Sequence, residues 1–140
     1  MTTGLLERLL TLWTEPAGDQ AEAVAAFRSL YADPVVVNGT STPVAQLVGR
    51  ARSLQAAFEG LRAEILDEVE TEDRVVVAFH LRGRHTGTFP SPLGDVAATG
   101  RDVRVRTIDV LTIRAGLVTQ IWVVADDLGL LTQLGAVRRT

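Results

Sequence analysis

The chain has 140 residues, 46% of them hydrophobic and 22% charged, which is the composition of an ordinary globular protein and the length of a single domain spanning 1–140. Its net charge of −3 gives no electrostatic basis for binding nucleic acid or an acidic membrane. Cysteine is absent and all 14 basic residues are arginine, which excludes disulfides, thiolate nucleophiles and lysine Schiff bases. The two histidines, His80 and His85, are too few for a three-histidine metal site.

No apolar run approaches the roughly 20 residues that a membrane-spanning helix needs. The N-terminal segment contains Glu7 and Arg8 and lacks a small-residue cleavage site. We therefore predict no signal peptide, no membrane association and a cytoplasmic location.

The first third of the chain predicts two amphipathic helices. Residues 4–13 place four leucines and Trp13 on one helical stripe. The second helix is predicted over 19–31, because Asp19 is a suitable N-cap and Glu22, three residues on, completes a capping box.

A short strand at 35–38 precedes the clearest helical pattern of the chain, which extends over 41–61. Thr42 is the predicted cap of this helix and Pro43 fits its first position. After Gly60 the apolar spacing changes from a helical to a strand-like period.

The second half of the chain predicts long strands. A Gly- and Pro-rich connection, 88–100, divides them, and a helical turn or two follows residue 126. The predicted strands are 62–73, 74–87, 101–113 and 117–125. The acids of the first of these predict a solvated face.

Helices followed by strands predict the α+β class. The last two strands are joined by only about three residues, so they form an antiparallel hairpin. The final strand is apolar on both faces, which predicts a curved antiparallel sheet wrapped around the N-terminal helices and enclosing a ligand cavity.

Two adjacent aspartates end that strand. By strand alternation Asp126 shares a face with Trp122 and Val124, whereas Asp127 points to the opposite face with Val123. An Asp before a helix also makes a good N-cap. We predict that Asp126 faces the cavity and that Asp127 caps the terminal helix or lies at the surface.

Three motifs resemble the SnoaL-like polyketide cyclases, within the nuclear transport factor 2-like superfamily. They are G-x-H-T-G, a T-G-R strand start, and W-x-x-x-D followed by a Leu-rich Q-L-G tail. Their residues here are Gly83, His85, Thr86 and Gly87; Thr99, Gly100 and Arg101; and Trp122, Asp126, Gln133, Leu134 and Gly135.

The resemblance covers nearly the whole chain and implies a cone-shaped α+β barrel, often dimeric, with a cavity between sheet and helices. For the cyclase branch it implies intramolecular aldol ring closure of a polyketide ester in secondary metabolism, without a cofactor or metal. The acid/base role of the W-x-x-x-D aspartate carries over to Asp126. The implied ligand is small, hydrophobic and polyketide-like, with an aromatic character that Trp122 suits.

Further residues are candidates for the site. Asp109 is an acid on a largely apolar strand face, and His85 stands where a strand meets the 88–100 connection and could polarise a carbonyl group. The predicted ligand contacts are Trp122, Asn38, Tyr31, His80 and Phe89. For these the alternatives remain open: a turn role for the asparagine, structural hydrogen bonding for the histidines and core packing for the aromatic residues.

Two other functions fit the same cavity. Asp109 and Asp126 with Arg82 or Arg106 could activate water, as in the limonene epoxide hydrolase branch, which requires all three groups around one water. Alternatively the domain binds a small ligand without catalysis, since the strand before Asp126 offers only Thr119 and Gln120 as a polar partner where some relatives carry a histidine.

Overall fold

The computed structural model describes residues 4–138, so that residues 1–3 and 139–140 of the predicted domain lie outside it. Helices and strands follow the predicted order, which confirms the α+β class. They are α1 (Leu5–Thr14), α2 (Gln20–Arg28), β1 (Tyr31–Val37), β2 (Thr40–Thr42), α3 (Val44–Ala57), β3 (Phe58–Glu70), β4 (Arg74–His85), β5 (Phe89–Ser91), β6 (Gly94–Val96), β7 (Asp102–Arg114), β8 (Leu117–Ala125) and α4 (Asp127–Gln133).

Helix α2 begins with the predicted capping box. The Asp19 carboxylate accepts the backbone N–H of Glu22 at 2.8 Å, and the Glu22 carboxylate accepts that of Asp19 at 3.3 Å. The two carboxylates satisfy N–H groups that the helix itself leaves unpaired. The helix ends at Arg28, and Tyr31 opens β1 instead of closing α2 as predicted.

Helix α3 differs from its prediction at both ends. Pro43 is the N-cap rather than the first helical residue, and the Thr42 hydroxyl donates to Thr40 instead of capping. The cap comes from another element, because the Asp33 carboxylate of β1 accepts the Val44 N–H at 3.0 Å. At the other end the helix stops before Phe58, which pairs with β4 instead. Phe58 has the apolar character and spacing of the helical stripe, so the sequence alone predicted it to be helical.

The large sheet has the order β2-β1-β8-β7-β4-β3 and is not closed into a barrel. Its pairings are antiparallel, as predicted, except that of β1 with β8, which is parallel and makes the sheet a mixed one. No short turn joins β1 to β8, and so no hairpin fixes their relative direction. Strands β5 and β6 form a separate small hairpin within the 88–100 connection; at three residues each they are too short to show a sequence period.

A bulge in β8 determines which side chains share a face of the sheet. Ile113 of β7 pairs with Val118, but the next pair is Thr112 with Gln120, so Thr119 has no partner in the ladder. A one-residue slip moves every later side chain to the opposite face. Asp109 therefore pairs with Val123, whereas an uninterrupted register would place it opposite Trp122.

The core lies between the helices and one face of the sheet, which we call the inner face. The main cluster joins α1, α2 and α3 to β1, β4, β7 and β8, and a second cluster joins the start of β3 and Phe89 to α4. Within residues 4–138, the helices are all too short or too polar to cross a bilayer.

Candidate functional site

A cavity of about 240 Å³ lies between helices α1 and α3 and the inner face of the sheet. Leucines and the aromatic ring of Trp13 form its helical wall, and valines of β7 and β8 form much of the opposite wall. The lining is mostly apolar, as expected for a small-molecule site. Its few polar or charged residues are Thr14, Tyr31, Arg50, Arg82, Thr107, Asp109 and Asp127.

Asp109 is the predicted site residue that the structure places most clearly in the cavity. It lies in the middle of β7, and its Oδ1 atom is buried without a hydrogen-bond partner among residues 4–138. Neither arginine named with it for the epoxide hydrolase alternative pairs with it, since Arg106 is exposed and alternates with inward-facing residues and the Arg82 guanidinium donates to Glu64 at 3.2 Å. Burial raises the pKa of Asp109 from 3.8 to about 6, because a carboxylate is poorly solvated there.

Tyr31, a predicted ligand contact, also lines the cavity. Its ring is buried and stacks on Phe27 with a centroid distance of 5.7 Å. Its hydroxyl oxygen accepts a hydrogen bond of 2.8 Å from the indole nitrogen of Trp13. Burial raises the pKa of the Tyr31 hydroxyl well above 10; the Trp13 hydrogen bond opposes this shift and the charge of Asp109 adds to it.

Of the two aspartates at the end of β8, Asp126 takes the capping position that was predicted for Asp127. Asp126 is the exposed N-cap of α4, where its Oδ1 atom accepts the Gly129 N–H at 2.9 Å. A Cβ atom at Gly129 would overlap this carboxylate, so glycine makes room for the cap. Asp127, at the first position of α4, is exposed, as the surface alternative predicted, but also contributes to the cavity lining. Strand alternation correctly separated the two side chains, but the inner face is the one that carries Val123 and Ala125.

Trp122 and Asn38 also lie outside the cavity lining. Trp122 is on the outer face of β8 with 50% of its surface exposed. Asn38 has a positive φ of 48°, and its side chain exchanges two hydrogen bonds with the Val123 backbone, of 2.9 and 3.2 Å. The asparagine thus ties the β1–β2 turn to β8, which agrees with its alternative interpretation as a turn residue.

The two histidines occupy structural positions rather than the cavity lining. His85 is fully buried against Phe58, and its Nδ1 atom accepts the Thr99 backbone N–H at 3.1 Å, so the ring proton is on Nε2. This bond holds the end of the 88–100 connection against β4. His80 is on the outer face of β4, where its Nδ1 lies 3.5 Å from a Glu64 carboxylate oxygen.

The G-x-H-T-G motif joins β4 to the end of α3. The backbone N–H groups of Thr86 and Gly87 both donate to the Ala57 carbonyl at 3.0 Å. A Cβ atom at Gly87 would overlap the Ala56 carbonyl oxygen, so that this close approach requires glycine. The motif leads directly to Phe89, which is part of the cavity lining.

The T-G-R and Q-L-G motifs contact one another. The Arg101 guanidinium donates to the Gln133 carbonyl at 3.0 Å. The Gln133 side chain accepts the Arg104 N–H at 2.8 Å and donates to the Arg104 carbonyl at 2.9 Å. These bonds fix α4 against β7 and thereby position Asp127 and Leu130 at the cavity.

Sequence reasoning did not place Trp13, Arg50 or Asp127 in the cavity lining. Arg50 is in phase with Leu47 and Leu54 on the apolar stripe of α3, and this phase was the available signal. The bulge at Thr119, for which the sequence carries no signal, puts Asp127 on the cavity side of β8 together with Val123 and Ala125. Residues 4–138 contain no group of three or more His, Asp or Glu side chains arranged to hold a metal ion.

A curved, open sheet wrapped around N-terminal helices, with a ligand-sized cavity between them, defines the nuclear transport factor 2-like fold class. Comparison with protein families gives a match to the model described as SnoaL-like polyketide cyclase over residues 5–134. The chain belongs to this family. A comparison with proteins of curated function gives no match.

Solved structures show the same fold. TsrD from Streptomyces laurentii is 27% identical with a TM-score of 0.77, over 95% of this chain and 93% of that one. IdmH from Streptomyces antibioticus, a proposed polyketide cyclase, is 25% identical with a TM-score of 0.74, over 94% and 96%. AclR from Streptomyces galilaeus, a proposed hydroxylase, is 22% identical with a TM-score of 0.75, over 97% and 82%. Because proteins of this fold are assigned different reactions, the reaction must be argued from the cavity itself.

Proposed function

We propose that the protein is a cofactor-independent polyketide cyclase of secondary metabolism that closes a ring by intramolecular aldol addition within a polyketide ester. The observation that carries this proposal is Asp109, an acid with a pKa of about 6 and an unpaired buried oxygen in an apolar cavity. A general base works best when its pKa lies near the operating pH. The proposed ligand is hydrophobic and aromatic, in keeping with the lining, and the proposed location is the cytoplasm.

In the proposed reaction Asp109 removes a proton from a carbon activated by neighbouring carbonyl groups. The resulting enolate carbon attacks a second carbonyl carbon of the same molecule, and the new alkoxide takes the proton back from Asp109. A cavity that holds the chain in a folded conformation brings the two carbons together and supplies part of the rate acceleration. The cycle returns Asp109 to its carboxylate form.

The family resemblance gave the acid/base role to Asp126, and we reassign it to Asp109. The Asp126 carboxylate is engaged in capping α4 and does not line the cavity. The same placement argues against the epoxide hydrolase alternative in the form predicted, since Asp109 and Asp126 do not face a common water site.

Incubation with a linear anthraquinone-type polyketide methyl ester tests the proposal. We expect a cyclised product of the same mass, or of that mass less one water, with a rate that rises with pH and is half-maximal near pH 6. Binding of the ester without any ring closure would contradict catalysis and favour the binding-module alternative. Hydrolysis of an epoxide panel without cyclisation would favour the other enzyme.

We also propose that the protein is a homodimer that pairs through the outer face of the sheet. Ile108, Trp122 and Val124 are neighbours on β7 and β8 with 42%, 50% and 65% of their surfaces exposed. An exposed apolar patch on a sheet is typical of a surface that is covered in the assembled protein. A second copy of the same patch would cover it with matching chemistry.

A further inference from the structure

We propose that Tyr31, positioned by Trp13, is a second catalytic group: its hydroxyl donates a hydrogen bond to the carbonyl oxygen that becomes negative when Asp109 acts. This inference rests on the proposed function, in which Asp109 is the base. It assigns an electrophilic partner to a reaction for which the sequence predicted none beyond His85, a residue outside the cavity lining.

The direction of the Trp13 hydrogen bond carries the inference. An indole N–H only donates, so in the 2.8 Å contact the Tyr31 oxygen is the acceptor. The hydroxyl hydrogen of Tyr31 then needs an acceptor of its own, and Tyr31 donates no hydrogen bond to another group among residues 4–138. Because both side chains line the cavity, this hydrogen is available to a ligand there.

The ring of Tyr31 is held in place on several sides. It stacks on Phe27, which in turn meets Trp13 edge-on with a centroid distance of 5.8 Å. The residue opens β1 next to Val118 of β8, so its backbone is part of the sheet. A donor fixed before the ligand arrives need not be reorganised when charge develops, and this is the condition for strong stabilisation of an oxyanion.

The protonation states of the two groups complement each other. Burial keeps the pKa of Tyr31 far above neutral pH, so the phenol stays a donor. The pKa of Asp109 is about 6, so above this pH the carboxylate is an acceptor. The inner face of the sheet thus carries both a proton acceptor, Asp109 of β7, and a hydrogen-bond donor, Tyr31 of β1, as enolisation requires.

The step balances without another reactant. Asp109 takes the proton as the carbon–hydrogen bond breaks, and the electron pair moves through the new carbon–carbon double bond to the carbonyl oxygen, where the Tyr31 hydrogen bond stabilises the charge. When the enolate carbon attacks, its oxygen becomes a carbonyl again. Tyr31 keeps its proton throughout, and Trp13 acts only by polarising and orienting the phenol.

Binding of 1-tetralone tests this role without any turnover. Above pH 7 the ionised Asp109 cannot donate to a ketone, and the hydroxyl and guanidinium donors of the lining are unchanged by Tyr31→Phe, so the part of the preference for 1-tetralone over the matched hydrocarbon tetralin that Tyr31→Phe removes reports the Tyr31 donor. We expect Tyr31→Phe to weaken 1-tetralone binding by about three- to tenfold and to leave tetralin binding unchanged. Equal losses for both probes, or no loss for either, would overturn the proposal.

The carbonyl stretching frequency of bound 1-tetralone gives a second readout. We expect a lower frequency in wild type than in an apolar solvent, an intermediate value in Trp13→Phe, and the solvent value in Tyr31→Phe. The wild-type and Trp13→Phe spectra keep the test decisive if Tyr31→Phe does not fold. A solvent-like frequency in wild type would overturn the proposal.

Kinetics separate this inference from the function on which it rests. With a polyketide ester we expect Tyr31→Phe to lower kcat by about 100-fold or more, with little change in KM and with the pH midpoint near 6 retained. Wild type that shows the tetralone signature but closes no ring would contradict the cyclase alone. Wild type that closes the ring at a rate unaffected by Tyr31→Phe would contradict the role of Tyr31 alone.

Discussion

The buried carboxyl group of Asp109 is the residue on which the account of the site depends. Water solvates a carboxylate far better than a wall of valines and leucines, and in residues 4–138 no hydrogen bond to Oδ1 replaces the lost water. A group with no structural partner and a raised pKa is destabilising for the fold, which is typical of functional sites.

The poor solvation of the Asp109 carboxylate predicts how the free energy of unfolding depends on pH. Since the pKa of Asp109 is raised from 3.8 to about 6, the native state binds the proton more tightly than the unfolded state. The stabilising contribution is therefore present below about pH 4 and lost as the pH rises through 6; the shift corresponds to about 3 kcal/mol. We expect Asp109→Asn to gain free energy of unfolding over wild type between pH 4 and 8, measured by urea denaturation. If the difference in free energy of unfolding between Asp109→Asn and wild type did not change with pH, the raised pKa of Asp109 would be contradicted.

Asp126 has the opposite character, because its carboxylate stabilises the fold. We expect Asp126→Ala to lower the free energy of unfolding by about 1 kcal/mol through loss of the α4 cap. Asp126→Asn is the matched control, since an asparagine oxygen caps nearly as well. Denaturation of Asp126→Ala indistinguishable from that of wild type would show that the cap contributes nothing.

At the scale of elements, the sequence predicted which helices and strands exist better than it predicted where they begin and end. It also did not predict which side chains of a strand point inward. Strand β8 was predicted with its observed bounds, Leu117–Ala125, because its apolar run lies between a turn and a helix start. The face it turns inward was not predictable. Thr119 is an ordinary strand residue, and only the pairing with β7 shows that it is bulged.

Two glycines give a paired test of the packing around α3. Gly49 lies within the helix with open space around its missing Cβ atom, so Gly49→Ala should raise the free energy of unfolding by roughly 0.5–1 kcal/mol. Gly87→Ala should lower it by about 1–3 kcal/mol, because the new methyl group overlaps the Ala56 carbonyl oxygen at the end of α3. Thermal or urea denaturation measures both, and a Gly87→Ala protein as stable as Gly49→Ala would contradict the observed packing.

At the scale of the whole molecule, the sheet has two unlike faces. The inner face and the helices enclose the cavity, and the outer face exposes Trp122 and Val124. The fold class followed from the order of elements, and the family followed from the motifs. The motifs did not locate the site, since most of their residues here make structural hydrogen bonds, such as those of Arg101, Gln133 and Asp126.

If the protein is a dimer, one substitution on the outer face of the sheet should halve its mass in solution. We expect wild type to sediment as a dimer and Val124→Glu as a monomer, because two copies would bring buried like charges together. Val124 is 65% exposed, so the same substitution should leave the cavity intact, which tetralin binding checks. A wild-type protein that sediments as a monomer at micromolar concentration would contradict the dimer.

The central claim is that Asp109, and not Asp126, is the base in the cavity. The most direct measurement compares the rate of ring closure of a linear polyketide methyl ester by wild type, Asp109→Asn and Asp126→Asn, each confirmed to be folded. We predict that Asp109→Asn slows the reaction by about 10²- to 10⁴-fold, whereas Asp126→Asn closes the ring at nearly the wild-type rate. An Asp109→Asn protein as fast as wild type, together with an inactive Asp126→Asn protein, would contradict the account.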